Sequence, residues 1–111
     1  ENAADTLRIN SCIARYSGGT DNKTIAVYDS DRMIAMSIQY YNQSSTVKYI
    51  EKGEELPKDC YVVSGDSISV KGACVLIGRI NDINVYAIGE NASRYTGEEP
   101  PFVQPGTPES V

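Results

Sequence analysis

Met33-Ile34-Ala35-Met36-Ser37-Ile38-Gln39-Tyr40-Tyr41, then Asn42-Gln43-Ser44-Ser45, then Thr46-Val47-Lys48-Tyr49-Ile50-Glu51 is the passage on which the fold turns. From Ile34 to Tyr40 every second residue is bulky and apolar, and the four residues after Tyr41 are turn formers. Period-two alternation broken by an Asn/Ser cluster reads as two strands joined by a short loop. A four-residue loop sets Tyr40 opposite Val47 and Ile38 opposite Tyr49. Ile34, Met36, Ile38, Tyr40, Val47 and Tyr49 then share one face, while Ser37, Gln39 and Lys48 share the other. That is a one-sided antiparallel hairpin, apolar inward and polar outward.

A second hairpin is expected at 73–80 and 83–88, turning on Asn81-Asp82. Its pairing sets Ile80 opposite Ile83, Gly78 opposite Val85 and Leu76 opposite Ala87. The remaining face carries Val75, Ile77, Tyr86 and Ile88, so this hairpin is apolar on both sides. A sandwich strand needs only one apolar face. The second must be covered by another layer, a helix, the tail or a partner chain.

Val, Ile, Thr and Tyr recur elsewhere in short runs between Gly, Asn, Asp and Ser, and further strands are read at 6–16, 24–29, 60–64 and 67–71. The first of these has a helical alternative. Asp5 would lie in its first turn, Ile9, Cys12, Ile13 and Tyr16 on one face, and Gly18-Gly19 at its stop. The expected fold is all-β: an antiparallel sandwich or compact barrel-like domain of about seven to eight short strands. It would span residues 1–89. Four of the five prolines fall in residues 90–111, which read as an acidic, extended tail or arm.

The chain has 111 residues, with 10 Lys and Arg against 15 Asp and Glu, a net charge of -5. The cations are scattered and form no basic patch. Phosphate neutralisation by clustered Lys and Arg drives nucleic-acid binding, so no nucleic-acid partner is expected. No apolar run is long enough to span a bilayer, so no membrane insertion is expected. The chain opens at Glu1 without Met, which suggests processing or excision from a longer chain and leaves room for a removed leader.

There is no histidine. This removes Ser-His-Asp and Cys-His nucleophile pairs, and with them the commonest zinc and copper ligands. Asp29-Ser30-Asp31 and Asp21-Asn22 lack the spacing of a calcium loop. Gly65-Asp66-Ser67 is read as a tight turn. No catalytic residue, metal site or cofactor is therefore expected. Cys12, Cys60 and Cys74 form no C-x-x-C pair, and if any two bridge, the expected pair is Cys60–Cys74. Sequons occur at Asn22, Asn42 and Asn91, all in expected loops.

The composition favours a non-enzymatic structural or assembly domain of an external particle or filament, working through contacts with other subunits in a homo- or hetero-oligomer. The expected contacts are Val75, Ile77, Tyr86 and Ile88 on the second hairpin face, with Phe102 and Val103 anchoring the arm. The alternative is a secreted or surface binding module. Eight tyrosines with no tryptophan and one phenylalanine suit interfaces, and Tyr40, Tyr41 and Asn42 would head its protein- or glycan-binding loop.

Overall fold

The structure is a computed structural model, and it describes residues 2–19, 21–70, 72–94 and 102–103. It corrects the all-β expectation. Two helices pack on a mixed sheet: α1 (Asn2–Ser17), β1 (Thr24–Tyr28), α2 (Arg32–Tyr41), β2 (Thr46–Ile50), β3 (Tyr61–Ser64), β4 (Cys74–Ile80), β5 (Ile83–Ile88) and a two-residue β6 (Phe102–Val103). Spatial order is β2-β1-β3-β5-β4-β6. β1 runs parallel to β2 and to β3, while β3, β5 and β4 are antiparallel neighbours.

The passage at 33–41 is a helix, not the first strand of a hairpin. Asp31 caps it from extended backbone (φ -104°, ψ 122°), and its carboxylate accepts the Met33 amide at 2.8 Å. Ile34, Ala35 and Ile38 face the core, while Met33, Met36 and Tyr40 face solvent. Asn42 ends the helix, its amide donating to the Gln39 carbonyl and its side chain to the Ile38 carbonyl. With 33–41 helical, β2 pairs in parallel with β1 instead of folding back on its predecessor.

Residues 6–16 take the helical alternative. Thr6, Ile9, Cys12 and Ile13 form the buried stripe of α1. Gly18 follows at φ +86°, its amide donating to the Ala14 carbonyl at 2.7 Å, so the chain leaves the helix through a left-handed residue. The strand expected at 67–71 is irregular over its described residues 67–70.

The β4–β5 hairpin forms as read near its turn, with Ile80 opposite Ile83 and Gly78 opposite Val85. A bulge at Ile77 then shifts the register, so Leu76 faces Tyr86 and Val75 faces Ala87. The shift corrects the expected shared face. Val75 and Ile77 turn to the helices, and Tyr86 and Ile88 turn to the opposite side.

Both sheet faces are covered by the chain itself. Ile9, Cys12 and Ile13 of α1 and Ile34 and Ile38 of α2 pack on Ile25, Val27, Tyr61, Val63, Ile77 and Val85. Across the sheet, Ala26, Val62, Tyr86 and Ile88 are roofed by Leu56, Ile68 and Val70 from the two long loops. β1 and β3 are therefore apolar on both faces, as sheathed parallel strands are.

Candidate functional site

Four large apolar side chains of α2 stand in solvent. Met33 is 55% exposed, Met36 65%, Tyr40 69% and Tyr41 47%. Met33, Met36 and Tyr40 recur at three- and four-residue spacing, which places them on one helical stripe. The rings of Tyr40 and Tyr41 meet edge to face with centroids 5.1 Å apart. Met36 and Tyr40 continue into a shallow groove with Gln39, Gln43, Ser45 and Thr46, where the end of α2 meets the start of β2.

Hydrogen bonds brace the backbone of that groove. The Gln39 amide nitrogen donates to the Asn42 and Ser45 carbonyls, each at 3.0 Å. Its oxygen accepts the Val47 amide at 3.3 Å. Ser45 Oγ accepts the Lys23 amide at 3.0 Å. The polar side chains thus fix the backbone, and the methionines and tyrosines remain on display.

Tyr40 and Tyr41, expected in a binding loop, are exposed on the last turn of α2. Asn42 is not on show with them. It is buried, its amide nitrogen donating at 2.7 Å both to Asn10 Oδ1 and to the Ile38 carbonyl. Its role is to end the helix and join it to α1, and the sequon there is sealed by the same bonds. Asn22 is exposed and Asn91 half-buried.

The expected assembly residues sit elsewhere. Ile77, Tyr86 and Ile88 are buried and Val75 is half-buried, divided between the two cores. Phe102 and Val103 pair as β6 with Gly78 and Arg79 of the same chain. Their side chains lie outside the described residues.

Cys60 and Cys74 are free thiols in one cluster. Cys60 neighbours Ile88 of β5 from one side, its carbonyl accepting the Ile88 amide at 3.0 Å, and Cys74 pairs with Ile88 from the other. Two strand spacings, roughly 10 Å, separate their backbones, beyond disulfide reach. Burial pushes the Cys12 and Cys60 thiols up to about 12, with Asp59 and Cys74 adding to the effect at Cys60. Burial raises Cys74 as well. A nucleophilic cysteine needs the opposite shift. Among the described residues, no three His, Cys, Asp or Glu side chains gather as a metal set, and no helix is long and apolar enough to cross a membrane.

Met33 and Met36 were hidden from sequence reading by the strand assignment, which turned Met36 inward. The legible signal was Asp31, an N-cap residue followed at once by good helix formers. Comparison of the chain with protein-family models, with curated proteins and with solved structures returns no match.

Proposed function

We propose that this chain is a non-catalytic interaction domain whose contact surface is the outer face of α2. The observation that carries the reading is the Met33–Met36–Tyr40–Tyr41 display on a helix whose other face is fully used by the core. A ten-residue helix leaving four such side chains in water keeps apolar surface that a protein partner can bury. Methionine adapts to irregular partner surfaces, and tyrosine gives contact area at low entropic cost. The covered second hairpin face and the β6 pairing withdraw two features that had favoured assembly, so the proposal rests on α2.

The partner we propose is another subunit of an assembly, beginning with a second copy of this chain. Light scattering across protein concentration tests it. The chain is expected to form a reversible oligomer, and the Met36→Glu/Tyr40→Glu variant to remain monomeric with unchanged circular dichroism. A chain that stays monomeric at about 0.5 mM, where even weak association registers, overturns self-association.

A further inference from the structure

A crevice opens on the sheet face opposite the helices, where the two long loops cross it. It runs from Tyr28 and Asp29 at the carboxyl end of β1 to Ile88, which lies beside the amino end of β3. Loops 52–58 and 66–70 wall a partly open hollow of about 760 Å³, a volume suited to a small molecule.

The floor is apolar: the Tyr28 ring, Leu56, Ile68 and Ile88, all part of the second hydrophobic cluster. The rim carries Asp29 and Asp66 with Lys52 and Lys58. None of these four charged side chains, nor the Tyr28 hydroxyl, is bonded to another described residue. Asp29 adds a second observation. It holds a left-handed backbone (φ +45°) directly after β1, fixed by its amide donating to the Ile50 carbonyl at 2.7 Å. That turn places Asp29 in the crevice lining.

The charges select the ligand class. Glu54 and Glu55 also line the crevice, so an anion would meet four carboxylates. The carboxylates would draw a cation, but a simple cation meets the two ammonium groups and leaves the apolar floor uncovered. A neutral polyol uses both kinds of group, because its hydroxyls donate to carboxylates and accept from ammoniums. The C–H face of a pyranose ring matches a floor made of a tyrosine ring and aliphatic side chains. We infer that the crevice between loops 52–58 and 66–70, beside Tyr28, binds a small neutral saccharide. This site lies across the sheet from the α2 face and stands independently of the interaction proposal.

Heteronuclear NMR titration of the full chain tests it. The probes are methyl glucoside, methyl mannoside, methyl galactoside and N-acetylglucosamine at about 20 mM, enough to populate a millimolar site. Inorganic phosphate and spermidine are the charged controls. At least one sugar is expected to shift the amides of Tyr28, Asp29, 52–58 and 66–70 in a saturable way. Asp66→Asn with Lys58→Gln, both at exposed positions, is expected to weaken that sugar about tenfold or more while the melting temperature holds. Shifts with phosphate or spermidine alone, or no saturable shift with any sugar, overturn the inference.

Discussion

At Gly89 a single hydrogen atom is all the structure has room for. The residue sits at φ +68°, and a Cβ there would collide with the Asp59 carboxylate and stand 2.5 Å from the Lys58 carbonyl. The Asp59 carboxylate is already committed, accepting the Glu90 amide at 2.8 Å. Gly89→Ala therefore meets both left-handed strain and a clash with backbone, and the expected loss is about 2–4 kcal/mol. Chemical denaturation measures it. A loss within about 0.5 kcal/mol, the range of ordinary surface changes, would refute this account of the close approach. The buried thiols give a second residue-scale prediction. Cys12 and Cys60 hold their protons to about 12 when folded, against 9.0 as the ordinary value. From about pH 9 upward the unfolded chain releases those protons first, so stability falls as pH rises, by up to about 1.4 kcal/mol per pH unit for each thiol. Below pH 9 both states keep the proton and the effect vanishes. Urea denaturation at about pH 8 and about pH 10.5 is expected to show the fall, and Cys12→Ala with Cys60→Ala to flatten it.

At the scale of elements, α2 shows why one reading of the sequence failed. Residues i and i+4 share a face in a helix and also in a strand, so the Ile34/Ile38 pair satisfies both periods. Met36 separates them, because a strand buries it with Ile34 and a helix exposes it. The alternation through Met36 and Tyr40 favoured the strand, yet both are solvated in the structure. The cap at Asp31 and packing against α1 and β1 outweigh that pattern. Strands β1 to β5 were legible to within a residue or two, because Val/Ile/Tyr runs between turn formers carry that information locally. The parallel pairing of β1 with β2 was not, since it depends on α2 being the crossover. The Ile77 bulge was illegible as well, and it moved Val75 and Ile77 away from Tyr86 and Ile88. Of the candidate surface, Tyr40 and Tyr41 were readable and the methionines were not. Two variants test the helix. Asp31→Ala removes the acceptor of the Met33 amide and is expected to cost about 1 kcal/mol. Ile38→Ala opens a cavity in a fully buried site between α1, α2 and the sheet, and is expected to cost about 2–5 kcal/mol. A β-hairpin at 33–51 would leave Asp31→Ala near neutral in denaturation experiments.

For the molecule as a whole, the tail joins the sheet of its own chain. β6 aligns in parallel with Gly78 and Arg79 on the outer edge of β4. Truncation after Arg94 is expected to accelerate amide hydrogen exchange in β4 and to leave β1 and β3 protected, because central strands open only with the global fold. Unchanged exchange in β4 would mean that the tail does not pair there. β2, at the other end of the sheet, pairs with β1 alone among the described residues. Its outer side is screened at Val47 by the Gln39 side chain and carries the exposed Lys48. Among the described residues the sheet therefore ends on the five-residue β2 at one rim and on the two-residue β6 at the other. The longer edge is the better template, so copies adding strand to strand would dock β2 against the β2 of a twin. Edge pairing of this kind closes at a two-fold dimer. Growth beyond two copies would have to run through a different surface or first displace β6.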